Sequence, residues 1–231
     1  YFYKHGGNEF EGRTLESIDP GGRQWKELGP ERGIGCIVYP ATEIEAPGVI
    51  RHVYGDKFPI GEPSGETTPD VENLSKVFEA AGLKAPILDR IRDEIWLKLW
   101  GNVCFNPISA LTHATLENIC TWQPTRDLAA NMMREAQAIG EKLGVQFKVS
   151  LEKRIAGAQA VGQHKTSMLQ DVENGRALEL QALVGAVIEL GQITGVATPT
   201  ITAIHAATAL LACAPCAALA GAALLTWLHH S

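Results

Sequence analysis

The 231-residue chain is short of positive charge: 20 Lys and Arg stand against 26 Asp and Glu, a formal net charge of −6. That balance argues against a nucleic-acid or anionic-membrane partner. The deficit lies almost wholly in the first third, with 9 basic and 14 acidic residues through Lys84 and 11 and 12 beyond it. A paired cysteine set is also lacking. Cys36, Cys104, Cys120, Cys213 and Cys216 are scattered and odd in number, which fits reduced thiols in a cytoplasmic protein better than a disulfide framework. No basic segment leads into an apolar run as a secretory signal requires. The chain opens Tyr1-Phe2-Tyr3-Lys4 without an initiator Met and reads as part of a longer polypeptide. No repeat of fixed period and no Ser- or Pro-rich linker occurs. From Leu190 to Ser231 there is no Asp, Glu, Lys or Arg, and Ala206 to Leu228 is long enough to span a bilayer. Ten of those positions are alanine and Pro215 interrupts them, so the expectation is a helix with an irregular tail and no membrane span.

What is present is a composition of 45% hydrophobic and 20% charged residues, which suits a folded protein with one large or two small cores. Residues 1 to 32 are rich in Gly, Glu and Arg, and Asp19-Pro20-Gly21-Gly22 is a turn signal, so loop is expected there. Ile34 to Tyr39, Val49 to Tyr54 and Lys57 to Ile60 read as short strands set apart by Pro and Gly. Thr68-Pro69-Asp70 then supplies an N-cap, a first-turn proline and an acid ahead of Val71, Leu74, Val77, Phe78 and Ala81 at helical spacing, and Gly82 ends that helix. Beyond the extended stretch Leu83 to Leu88 nearly everything reads as helix. The expected boundary separates residues 1–86 from residues 87–231.

The chemistry is concentrated between Ile91 and Pro107. At about 100° per residue, Ile91, Ile95 and Leu99 form one stripe, and Lys98, Asn102 and Asn106 fall on it. An ammonium there is costly unless it meets a counter-charge, an acceptor or a ligand. Two readings stand side by side. In one, Lys98 reaches water and the asparagines bond backbone between helices. In the other, the stripe faces a cleft where the lysine gives a proton or holds a developing charge, and the amides orient a small oxygen-rich substrate. Asn106-Pro107 is expected to kink or break the helix. A second segment runs from Gln163 through Ser167 to Asp171, then the Asn174-Gly175 turn and Glu179, with a fresh helix starting near Leu178. Glu179 alone suits the positive end of that helix and needs no further role, whereas as a partner for Lys98 it would have one.

Trp96-x-Lys98-Leu-x-x-Asn102-x-x-x-Asn106-Pro107-x-x-Ala110-Leu111, followed by Thr166-Ser-Met-Leu-Gln-Asp171 and Glu179, resembles the ketopantoate reductase (2-dehydropantoate 2-reductase) family. The resemblance extends from about Gly33 to about Ala207. It implies an α/β remnant of a Rossmann domain in residues 1–86, followed in 87–231 by an all-α domain like that of 6-phosphogluconate dehydrogenase. It also implies an oxidoreductase that reduces 2-dehydropantoate to (R)-pantoate with NADPH, on the route to pantothenate and coenzyme A. By the same resemblance Lys98 and Glu179 are catalytic, and Asn102, Asn106, Ser167, Met168, Leu169 and Gln170 bind substrate. Glu179 and Ala41 contact the NADPH. The implied partner is a small 2-keto acid, with a homodimer compatible and no metal.

The departures from the family are as specific. Its Gly-x-Gly-x-x-Gly turn, which cradles pyrophosphate at a helix N-terminus, has no counterpart, since Gly33-Ile34-Gly35 enters a strand. The sequence resembles the last Rossmann strands plus the whole helical domain, with roughly the first hundred residues of a typical member absent. Leu116 stands where some relatives carry a further substrate-contacting asparagine. Cys213-Ala-Pro-Cys216 lacks the second pair or preceding strand of a zinc or redox site. His113, His164 and His205 lack metal-cluster spacing, and Trp96, Trp100 and Trp122 read as core. Two alternatives stay open: a non-catalytic helical dimerisation module, and a related 2-keto acid reductase.

Overall fold

A computed structural model of the chain describes residues 8–213. The membrane-length run from Ala206 and the Cys213–Cys216 spacing therefore fall only partly within the described residues, and Cys216 and the opening Tyr1-Phe2-Tyr3-Lys4 fall outside them. The chain divides into two compact units between Leu97 and Lys98.

In the first unit, helix α1 (Arg23–Leu28) lies between two 3-10 turns at Pro20–Gly22 and Pro30–Arg32, so residues expected as loop carry regular structure. The cause is Asp19, whose carboxylate accepts the amides of Gln24 at 2.8 Å and Trp25 at 3.0 Å. The Gln24 hydrogen bond, first of all, holds that carboxyl below its ordinary value. The strands that follow are β1 (Gly35–Cys36), β2 (Ala41–Ala46), β3 (Val49–Tyr54) and β4 (Ile60–Gly61). The strand expected over Ile34 to Tyr39 shrinks to β1, paired antiparallel with β4, although Ile37 N–H still donates to Pro59 at 2.9 Å. Lys57 to Ile60 forms no continuous strand, because Pro59 has no amide to give. β2 was not expected at all. Its Ala-Thr-Glu-Ile-Glu-Ala sequence lacks an apolar face, and it exists by pairing with β3 across the Pro47-Gly48 turn. Gly48 sits at φ +79, a conformation that favours glycine.

Helix α2 (Pro69–Ala80) forms as its cap dictates: Thr68 Oγ1 accepts Val71 N–H at 3.3 Å, and Gly82 at φ +81 stops the chain. Its inner face meets Ile60 and Ala85 around Val71, and Ser75 Oγ donates to the Ala85 carbonyl at 2.7 Å.

Helix α3 (Ile91–Thr112) runs unbroken, with Pro107 inside it. The expected break does not occur. A mid-helix proline costs about 3 kcal/mol, and the continuous burial from Val103 to Ala110 outweighs that. The second unit adds α4 (Leu116–Thr121), α5 (Gln123–Lys142), α6 (Leu151–Ala160), α7 (Ser167–Glu173), a π turn at Gln181–Gly185, α8 (Ala186–Thr194) and α9 (Pro199–Ala212). Its core gathers around Trp100, whose indole donates to the Met133 carbonyl of α5 at 2.7 Å and tilts against Phe147. Trp96 is buried as expected, but Trp122 is 64% exposed because it sits at the corner between α4 and α5, closing one helix and opening the next. No described helix is long and apolar enough to cross a membrane.

Candidate active site

The polar stripe emerges from α3. At 1.5 Å rise per residue, Asn102 and Asn106 lie about 6 Å apart along the axis and Lys98 about 12 Å from Asn106. Lys98 and Asn102 are half-buried, while Asn106 is only 5% exposed. A carboxamide that deep needs a partner, and Asn106 Nδ2 donates to Ser167 Oγ at 3.4 Å. Two residues singled out from separate segments thus meet. On the other side of the helix Arg154 of α6 lies so close that a Cβ on Gly101 would fall 2.2 Å from its Nη2, and glycine is what admits the guanidinium. Cys104, next to this contact, is no nucleophile. Burial pushes its thiol well up, with Arg154 opposing.

Ser167 is exposed at the first position of α7, directly after Thr166, which is buried and caps the helix by accepting Leu169 N–H at 3.3 Å. The cap escaped the sequence reading, although a threonine between a polar loop and an apolar pair is its signal. Met168 and Leu169 are 2% and 0% exposed, and the Leu169 amide is taken by Thr166, so both residues belong to the core. Gln170 is half-buried and donates to the Lys165 carbonyl at 3.1 Å, and Lys165 pairs with Glu173 at 2.7 Å. Glu179 is exposed in the loop ahead of the π turn, its carbonyl accepting Leu183 N–H at 3.0 Å. Ala41, the first residue of β2, belongs to the first unit and pairs with Tyr54.

His113 and His164 are exposed and His205 is half-buried. No group of three or more His, Cys, Asp or Glu is placed to hold a metal ion among the described residues. A cavity of about 360 Å³ opens in the first unit between Leu15, Ile18, Trp25 and Arg32 and includes none of the residues singled out above.

Residues 90–212 match the family model for the C-terminal domain of ketopantoate reductase PanE/ApbA. Among curated proteins, the 2-dehydropantoate 2-reductase of Mesorhizobium japonicum is 56% identical over 207 residues, covering 89% of this chain and 64% of the relative. That of Aquifex aeolicus is 31% identical, covering 69% and 54%. Among solved structures, a Ralstonia solanacearum protein assigned as a ketopantoate reductase superposes with a TM-score of 0.86 at 35% identity, covering 91% of this chain and 64% of the other. D-mandelate dehydrogenase in complex with NADH shares the fold, with a TM-score of 0.70 at 19% identity. The chain spans less than two thirds of the length of these relatives.

Proposed function

The chain belongs to the ketopantoate reductase family, and from that premise we propose that it supplies the substrate site and the proton for NADPH-dependent reduction of 2-dehydropantoate to (R)-pantoate. The observation that carries the reading is the Asn106–Ser167 contact. It joins the helix bearing Lys98 and Asn102 to the start of α7, so that hydroxyl, carboxamide and ammonium can serve one small polar ligand.

Reduction of a ketone builds negative charge on its oxygen. A preorganised ammonium at Lys98 stabilises that charge and returns a proton to it. Asn102 and Asn106 orient the keto acid, Ser167 holds its carboxylate end, and Glu179 orients Lys98 or the ligand hydroxyl. Met168 and Leu169 pack the start of α7 into the core behind Ser167, and Gln170 steadies the segment through Lys165. The described residues do not form a pyrophosphate cradle, since Gly33 leads into β1, which Gly35 opens, and the next elements are strands and not a helix. The reading therefore gives this chain the substrate and the proton and routes no step through the dinucleotide, with Ala41 and Glu179 as its cofactor contacts. Residues 1–86 are read as the C-terminal part of a Rossmann-type domain and 87–231 as the substrate domain, in a cytoplasmic enzyme with a 2-keto acid as its partner.

In an enzyme preparation containing this chain, Lys98→Ala is expected to lower kcat by at least about a hundredfold, the usual worth of a positioned acid, and to leave the NADPH affinity within about threefold. Unchanged turnover overturns the assignment. Fluorescence titration of the chain with NADPH separates the alternatives: saturable binding supports a surviving enzyme, and none supports a non-catalytic helical module.

A further inference from the structure

We propose that residues 162–165 form a strap that fixes the position of Ser167, and that Gln163 is a positioning residue for the keto acid site. The inference rests on the reductase reading of that site.

A helix leaves its first amides without internal partners. In α4 the first two are satisfied from far along the chain: Leu116 N–H donates to the His164 carbonyl at 3.0 Å, and Glu117 N–H to the Gly162 carbonyl at 3.2 Å. Thr115 Oγ1 accepts the third, from Asn118, at 3.4 Å. The strap thus completes the cap that Thr115 begins on α4.

Gln163 locks it there. Its Oε1 accepts the Thr115 hydroxyl at 3.1 Å, and its Nε2 donates to Glu117 Oε2 at 2.5 Å and to Asn118 Oδ1 at 3.4 Å. The assignment is self-consistent, because the Thr115 hydroxyl has one proton to give and lone pairs to accept with. All three bonds run to the first turn of α4, so the side chain has no freedom to serve the ligand directly and acts through the backbone that follows it. Three residues later Thr166 is buried and caps α7, and Ser167 comes next.

The same turn of α4 also anchors the other half of the pair. Ser109 Oγ, one turn past Asn106 in α3, donates to the Ala114 carbonyl at 2.7 Å, immediately before Thr115. A closed circuit results, from Asn106 through Ser109, Ala114, Thr115, Gln163 and Thr166 to Ser167 and back across the Asn106–Ser167 bond. Opening it at Gln163 removes three of the five bonds that hold the strap to α4 and leaves the two backbone bonds, which loosens Ser167 against Asn106 and weakens its hold on the substrate in ground and transition state alike.

The experiment uses Gln163→Ala, Gln163→Glu and the exchange pair Glu117→Gln with Gln163→Glu, which returns a donor and an acceptor to the same two places. Gln163→Ala is expected to raise KM for 2-dehydropantoate about tenfold with kcat within about twofold, as loss of ground-state positioning requires. Gln163→Glu sets two carboxylates against each other and matches or exceeds that defect, and the exchange pair restores KM. In parallel, amide hydrogen exchange of the chain itself should quicken about tenfold at Leu169 and Gln170, whose amides are bonded to Thr166, in Gln163→Ala, recover in the exchange pair, and stay unchanged in α9. Unaltered KM and exchange rates, or an exchange pair that fails to recover, overturn the strap. A wild-type protein that neither binds nor turns over the keto acid defeats the reductase reading, and the exchange measurements then decide the strap by themselves.

Discussion

Removing the carboxylate of Glu135 should cost the second unit about 2–3 kcal/mol, for reasons that lie in α9. That helix begins with Pro199, which has no amide, and Thr198 makes no side-chain cap bond. The next two amides are both taken by one distant side chain: Thr200 N–H donates to Glu135 Oε1 at 2.9 Å and Ile201 N–H to Oε2 at 3.0 Å. Loss of an ordinary cap costs about 1 kcal/mol, and a negative group at the positive helix end adds up to about 1 kcal/mol. Ile201 is fully buried, so water does not readily replace the lost acceptor, and an orphaned buried donor adds about 1 kcal/mol or more. Glu135→Gln keeps one acceptor oxygen and gives up the charge, so about 1 kcal/mol is expected there. Urea unfolding at neutral pH reads both. With an unchanged slope of about 2 kcal/mol per molar, Glu135→Ala lowers the midpoint by about 1 M and Glu135→Gln by about half that. An alanine variant within about 0.5 kcal/mol of the parent, the usual size of an inconsequential surface change, would refute the capping argument.

Two further outcomes follow from burial. Of the four described cysteines, Cys36 and Cys213 are exposed, whereas burial raises the thiols of Cys104 and Cys120; iodoacetamide followed by peptide mapping should label the first two in the native protein and reach Cys104 and Cys120 only in denaturant, and native-state labelling of Cys104 at the rate of Cys36 contradicts this. Burial also pulls the His205 imidazole below its ordinary 6.5, with Nε2 lacking a hydrogen-bond partner among the described residues. The unfolded chain then takes up a proton that the folded chain declines, so this residue costs nothing above 6.5 and lowers stability as pH falls below it. Urea midpoints measured from about pH 8 down to about pH 5.5 should fall less steeply in His205→Gln than in the parent, and identical slopes dispose of the idea.

Local chemistry made some elements readable and long-range pairing hid the rest. Helix α2 was legible because Thr68, Pro69 and Gly82 act on their own neighbours. So was the shared face of Lys98, Asn102 and Asn106, which follows from helical period alone. β2 was not, since its polar sequence becomes a strand only by pairing with β3. The meeting of Asn106 with Ser167 spans 61 residues and has no periodic signature; only resemblance to a family put both in one site. For the same reason Glu135 went unnoticed, and Gln163, though it opens the second segment, was given no role of its own. Each is a polar side chain whose meaning lies in a helix start 65 or 48 residues away. Trp122 misled in the opposite direction, being large and apolar but stationed at a corner.

The β2–β3 hairpin has a practical corollary. Both strands are exposed along their whole length, and its cross-strand apolar pair, Ile44 and Ile50, is 67% and 61% open to water. Its order is maintained by ladder bonds, the Pro47-Gly48 turn and the Glu43–Arg51 ion pair, since two strands alone gain little from burial. On warming or at high ionic strength this ribbon should melt while the helical unit stays intact, giving proteases their earliest nick and, at high protein concentration, giving aggregation its first seed.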